Sequence, residues 1–276
     1  MRGALLGMVA LQLLAASPSA AQDGPRTMAV AAGARISISS GVGPVNVTAW
    51  DRSEVAVITP GASPHNEYEM SGDARRVTIR GNHNAPLQVR VPRDAMLNVQ
   101  TGAGPITIRG VTRTIEAESG SGPVRIEASA QSITATGFSG GVVIVGGGSE
   151  MTRAESASGS VVVTDASGVV DASSSSGSVR VNGRVTDARL FSVSGSVSFE
   201  GTVESGGRLT AETSSGSVML RLPATTSAEF ELSTVNGRIA NSFGPRQEHT
   251  GTTGARLRFA VGSGSARIKG STVSGS

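Results

Sequence analysis

Ser158-Gly159-Ser160-Val161 recurs as Ser176-Gly177-Ser178-Val179 and again as Ser194-Gly195-Ser196-Val197, each copy 18 residues after the last. A fixed period of roughly 20 residues marks a solenoid. One such repeat is too small to bury its own apolar face. It must stack on its neighbours, and the neighbours on theirs.

With the turn glycine as marker, the series runs Gly104, Gly122, Gly140, Gly159, Gly177, Gly195, Gly216, Gly237 and Gly264, in steps of 18, 18, 19, 18, 18, 21, 21 and 27 residues. Two and four residues after each marker up to Gly216 stand apolar pairs, such as Ile106 and Ile108, Val161 and Val163, Val197 and Phe199, and Val218 and Leu220. Seven and five residues before the markers stand pairs such as Leu97 and Val99, Val170 and Ala172, and Leu209 and Ala211. A period of two puts each pair on one face of a short strand. Three residues before the marker the column is mostly Ser or Thr. Each coil therefore reads as two short strands meeting at a Ser-Gly-Ser turn.

The expected fold class is all-β, a parallel β-solenoid. It is expected to be a right-handed β-helix with coils of about 18–21 residues, each strand pairing with its own copy in the next coil. The alternative is an antiparallel β-sandwich, which also carries a strand every 8 to 12 residues or so. A sandwich has no reason to hold Ser and Gly in columns. Residues 1–21 read as a secretory signal peptide: Arg2, an apolar run from Gly3 to Ala16, Pro18, and small residues at Ser19 and Ala21 before the cleavage point. That run falls short of the roughly 20 residues of a membrane span. Residues 22–96 read as irregular β-rich coils and a cap. Residues 97–276 read as the regular repeats, continuous with 22–96 in one domain.

The Ser-Gly-Ser-Val repeats, the segment Gly43-Pro44-Val45-Asn46-Val47-Thr48-Ala49-Trp50-Asp51, and Val89-Arg90-Val91-Pro92-Arg93 leading into a Thr-Gly-x-Gly turn resemble the bacterial putative-adhesin family of exported repeat proteins. The likeness covers most of the chain after the leader. It implies a β-helix and a cell-envelope address, in a family that is otherwise a domain of unknown function with no established reaction.

Composition excludes several classes. The chain has no Cys, so neither disulfides nor thiol catalysis arise. Lys269 is the only Lys, and the arginines are scattered among 21 acidic residues for a net charge of +3. No basic stripe with interleaved aromatics marks a nucleic-acid binder. Gly137-Phe138-Ser139-Gly140-Gly141 matches the nucleophile-elbow pattern, but that motif needs a following helix and acid and His partners. Ser139 reads instead as one of the turn serines, with Ser121, Ser158, Ser176, Ser194 and Ser215. Arg267-Ile268-Lys269 looks like a triplet of β-helical polygalacturonases, without their clustered aspartates. Here it reads as two outward cations around an inward Ile. His65, His83 and His249 lie in polar loops without metal-ligand spacing. Gly146-Gly147-Gly148-Ser149-Glu150 lacks the aspartates of calcium-binding repeats and reads as a loop. Trp50 and Tyr68 are candidates for a sugar-stacking surface, or for core and cap.

The function expected is that of a non-enzymatic exported protein, periplasmic, outer-surface or extracellular. Its repetitive surface would serve adhesion or scaffolding. The alternatives are a polysaccharide-active β-helix enzyme and a periplasmic sensor or partner-binding module. No catalytic, cofactor or metal site is expected, no nucleic-acid partner and no transmembrane span. Arg153, Asp171 and Arg189 fall on three successive coils at one outward position and are expected to form a cross-coil ion ladder. Ser271 to Ser276 restates the turn of Phe191 to Ser196, so a further coil is started. Ala266 to Lys269 is then expected to be an edge strand, open to end-to-end self-association.

Overall fold

The computed structural model describes residues 26–58, 68–81, 84, 86–146, 150–244 and 254–275. The expected signal peptide of residues 1–21, the three histidines and most of the Gly146–Glu150 loop lie outside them. The described residues form 21 strands and no helix. The first are β1 (Arg26–Ala29), β2 (Arg35–Ser40), β3 (Val45–Trp50), β4 (Glu54–Ile58), β5 (Tyr68–Gly72), β6 (Arg76–Gly81) and β7 (Leu87–Pro92). Then come β8 (Met96–Thr101), β9 (Ile106–Arg109), β10 (Thr114–Ser119), β11 (Val124–Glu127), β12 (Ser132–Gly137), β13 (Val142–Val145) and β14 (Met151–Ser156). β15 (Val161–Ser174), β16 (Val179–Ser192) and β17 (Val197–Thr213) each turn a corner and serve two rows. The last are β18 (Val218–Arg221), β19 (Ala228–Asn236), β20 (Ala255–Val261) and β21 (Ala266–Ser274).

The central strands are parallel and in register from coil to coil, which excludes the antiparallel sandwich. Leu97, Ile115, Ile133, Thr152, Val170, Ala188 and Leu209 lie opposite one another in successive rows of one sheet. Ile106, Val124, Val142, Val161, Val179 and Val197 do the same in the other. All are 0–2% exposed. The core is thus a column of mostly branched aliphatics between the two sets of rows, with Thr152 and Ala188 among them. Each buried Val, Leu or Ile contributes about 1.5–3 kcal/mol through burial.

The ends depart from sequential stacking. On the first sheet β2 lies between β6 and β8, and on the second β3 lies between β7 and β9. The first coil is therefore inserted into the stack. At the other end β21 lies between the second half of β17 and β19. The expectation that Ala266 to Lys269 forms an edge is overturned, because this strand is paired on both sides. A parallel row accepts any strand with the right direction and inward pair, whatever its place in the chain. Ile36 and Ile38 meet that condition before Gly43, and Ile268 meets it before Gly275. The outermost strands are antiparallel: β5 on β6, β4 on β7, β1 on β4, and β20 on β19.

The turn glycines show the same rearrangement. A Cβ at Gly104 would strike the Gly43 carbonyl, one at Gly275 the Gly216 carbonyl, and one at Gly237 the Gly275 carbonyl. The column therefore runs from Gly43 through Gly104 to Gly216, then to Gly275 and Gly237. Gly264 is a correction: it lies outside the column, at φ +67° in the turn between β20 and β21.

Candidate functional site

The buried Ser/Thr column binds the turns together. Ser156, Ser174 and Ser192 each accept the N–H of the glycine three residues on, at 2.8–2.9 Å. Each hydroxyl also donates to the turn glycine of the coil before, Gly140, Gly159 and Gly177, at 2.9–3.0 Å. Thr213 continues to Gly195, Thr272 to Gly216 and Thr234 to Gly275. These hydroxyls satisfy backbone groups that burial would otherwise leave unpaired. They hold the corner of the solenoid rigid, and with it the side chains on both flat faces.

Those outward side chains fall into columns at one strand spacing, about 4.8 Å. Register sets Asp171 opposite Arg153 on one side and Arg189 on the other. The ion pair of Arg153 runs along its own strand to Glu155 at 2.6 Å. Hydrogen bonding to Glu155 first, and the more distant Asp171 charge after it, hold the guanidinium above its ordinary value. On the second face Arg109 and Arg125 both reach Glu127, at 2.9 and 2.6 Å. The two hydrogen bonds hold its carboxyl below the usual range. Arg221 meets Glu200 across coils at 3.5 Å.

The other sequence candidates are not brought into one site. Ser139 lies in the turn stack, its N–H bonded to the Gly120 carbonyl. Arg267 and Lys269 face outward around buried Ile268, and Lys269 pairs with Glu212 at 2.6 Å. Trp50 is flanked by the guanidiniums of Arg52 and Arg90 at 5.0 and 5.6 Å, and its indole N–H bonds the Glu54 carbonyl. Tyr68 is only 4% exposed, so it offers no stacking surface, and burial pushes its hydroxyl up. Among the described residues no group of three or more His, Cys, Asp or Glu could hold a metal ion. No helix among them is long and apolar enough to cross a membrane.

A concavity of about 380 Å³ lies at the C-terminal end of the described residues. Val218, Leu220, Phe230, Leu232, Ile239 and Phe243 supply apolar walls, and Gly270 lies among them. The Phe230 ring stacks between those of Phe243 and Phe259, at 5.8 and 4.8 Å. Sequence periodicity missed this cavity because it placed Val218 and Leu220 in a closed interior. They are half-buried, unlike Val197 and Phe199 one coil earlier. The signal in the sequence was the restated turn at Val273-Ser274-Gly275.

Parallel coils, a hydrogen-bonded turn column and two faces of outward columns define a repeat scaffold of the β-solenoid class. The chain belongs to the Toastrack DUF4097 family, whose model matches residues 35–200, more than half of its length. Its fold is similar to that of a putative adhesin from Bacteroides fragilis, at a TM-score of 0.51 and 15% identity, covering 72% of this chain and 96% of that one. A putative cell adhesion protein from Clostridium sporogenes aligns over 91% of this chain and 97% of its own, at 10% identity and a TM-score of 0.22. No curated protein matches the chain.

Proposed function

We propose that the protein is an exported, non-catalytic component of the cell envelope that binds through its flat outer faces, in adhesion or scaffolding. The observation that supports this is the rigid repetition of outward side chains. The same position recurs on coil after coil, held by the buried turn column. A ligand with its own repeat, such as a cell-wall glycan, can then make many weak contacts at once, and their effect multiplies. Exposed apolar side chains add contact area at the turn edge, including Phe138 at 68% exposure, Phe191 and Val193. The leader in residues 1–21 supports export, and residues 22–276 then form the mature domain. The structural neighbour from Bacteroides fragilis carries an adhesin name and is in keeping with this role.

The test is binding of the mature chain, starting at Gln22, to a panel of glycans and cell-wall fragments, beside fractionation of the expressing cell. Envelope localisation and length-dependent binding are expected, weakened by Phe138→Ser. Retention in the cytoplasm would defeat the proposal. So would release of reducing ends or unsaturated products that a point substitution abolishes.

A further inference from the structure

The insertion of β21 sets like charges side by side on the outer face of the first sheet. Arg208 of β17 lies opposite Arg267 of β21, with Asp187 of β16 beyond the one and Glu229 of β19 beyond the other. Stacked in chain order, β19 would lie next to β17 and bring Glu229 opposite Arg208. The signs would then alternate along the column. The observed order puts the two cations together, and like charges directly opposite one another are destabilising. Other charges at this end are paired: Lys269 with Glu212, and Arg256 and Arg258 with Glu231.

We propose that Arg208 and Arg267, with Arg189 and Thr210, form a binding site for a phosphate group carried by a sugar of an envelope polymer. The inference deepens the reading of the outer faces as binding surfaces and rests on it for the source of the ligand. Thr210 lies in the next outward column, opposite Arg189 on one side and Lys269 on the other. Three arginines therefore border one half-buried threonine, within one strand spacing across the rows and two residues along them, about 4.8 and 6.6 Å. Arg189, Arg208 and Arg267 are exposed, and none of them makes an ion pair among the described residues.

The charges define the ligand. Two guanidinium forks one strand spacing apart offer more N–H donors than the two oxygens of a single carboxylate can match. A phosphate monoester presents three acceptor oxygens and close to two negative charges at neutral pH. Bound between Arg208 and Arg267, it relieves the repulsion that the empty column carries. Asp187 and Glu229 close the column on both sides. A polyanion with closely spaced charges running along the column would meet one of these carboxylates, and a single compact anion does not. Phe191, two residues beyond Arg189 on the same strand and 44% exposed, supplies an apolar face for the sugar that carries the phosphate.

The probes are glucose-6-phosphate, inorganic phosphate, glucuronate and glucose, each titrated into the mature chain at low salt and followed by amide NMR shifts. Glucose-6-phosphate should move the resonances of β16, β17 and β21 around Thr210. It should bind at least about tenfold tighter than glucuronate, and tighter than inorganic phosphate, while glucose leaves these resonances in place. Arg208→Gln and Arg267→Gln should each weaken the sugar phosphate by about tenfold or more. Arg180→Gln, on the face of the second sheet, should not. Without ligand, Arg267→Gln should melt no lower than the wild type at low salt, since it removes a like-charged neighbour. A lower melting temperature with unchanged binding would make Arg267 a structural residue and overturn the proposal. Equal binding of glucuronate or of inorganic phosphate, or no binding of the sugar phosphate, would overturn it as well. Binding to phosphatidylglycerol vesicles in place of the sugar phosphate would assign the cations to a lipid surface and overturn it too. Failure of the phosphate probes while neutral glycans still bind would defeat this site alone. Retention in the cytoplasm with the phosphate probes still bound would defeat the envelope role and leave the sugar-phosphate site.

Discussion

Ser174 donates a hydrogen bond of 2.9 Å from Oγ to the carbonyl oxygen of Gly159, one coil back in the stack. The same hydroxyl accepts the N–H of Gly177 in its own turn, also at 2.9 Å. One buried side chain thus satisfies two backbone groups in adjacent coils. Ser174→Ala should cost about 1–3 kcal/mol, since both backbone groups lose their partner where water does not reach. Ser176→Ala, at an exposed position of the same turn, should stay within about 0.5 kcal/mol of the wild type. Chemical denaturation of the two variants measures the difference.

The glycine of that turn is required for space. A Cβ at Gly177 would strike the carbonyl of Gly159 and the N–H of Ser160, all backbone, which cannot swing aside. Gly206 is the contrasting case, with φ at +79° and nothing within 4 Å of an added Cβ. Gly206→Ala should cost about 1–2 kcal/mol, the left-handed penalty alone. Gly177→Ala should reach or exceed the upper end of the about 1–3 kcal/mol typical of overpacking. Equal losses in the two variants would mean that the coils separate to make room.

The middle of this fold was legible because period, turn and inward pattern all repeat together from Leu97 to Thr213. Each strand had a single plausible partner, its copy one coil on. The ends were not legible, for a physical reason. Ile36 and Ile38 before Gly43, and Ile268 before Gly275, satisfy the pattern as well as any central coil does. Nothing in a one-dimensional period says between which rows they insert. Gly264 was misread for a related reason: Leu257 and Phe259 have the strand spacing, but their strand runs antiparallel to β19. The outward columns were legible as neighbours but not as ion pairs, since Arg153 chooses Glu155 along its strand over Asp171 across it.

Glu127 makes the ion columns pH-sensitive. Arg109 and Arg125 hold its folded value below the ordinary 4.5. A lowered carboxylate contributes stability above its unfolded value, and that contribution is lost as pH falls through the folded value. Glu127→Gln should therefore be less stable than the wild type at neutral pH. The gap should close in acid, below the ordinary glutamate range. Denaturation midpoints at pH 7 and pH 3 provide the check, and a gap that persists in acid would assign the effect to packing.

Asp171 lies in the row between those of Arg153 and Arg189. Asp171→Arg puts like charges on three successive coils, with Arg153 and Arg189 on either side. Such exposed cross-strand terms are worth about 0.2–1 kcal/mol each. The variant should lose stability in that range at low salt and recover most of it at about 1 M salt, where the Debye length falls to about 3 Å. A loss independent of salt would show that Asp171 acts through its backbone or packing.

The inserted strand β21 locks the C-terminal end, and Ile268 is its anchor. This side chain is 1% exposed and lies between Leu209 in one row and Phe230 in the next. Among the described residues β21 is the strand that joins β17 to the β19–β20 hairpin on that sheet. Ile268→Ala removes apolar atoms at a site flanked on both sides by fixed rows that cannot collapse inward. The cost should be about 2–5 kcal/mol. Val273→Ala, in the same strand at 50% exposure, should cost no more than about 0.5 kcal/mol. If β21 is a lock, Ile268→Ala should also speed hydrogen exchange in β19 and β20 while leaving β10 and β12 protected, because β21 is the row through which the hairpin pairs with the stack among the described residues. Uniform loss of protection from β8 to β20 would instead show that the solenoid unfolds as one cooperative unit, with no separate C-terminal junction.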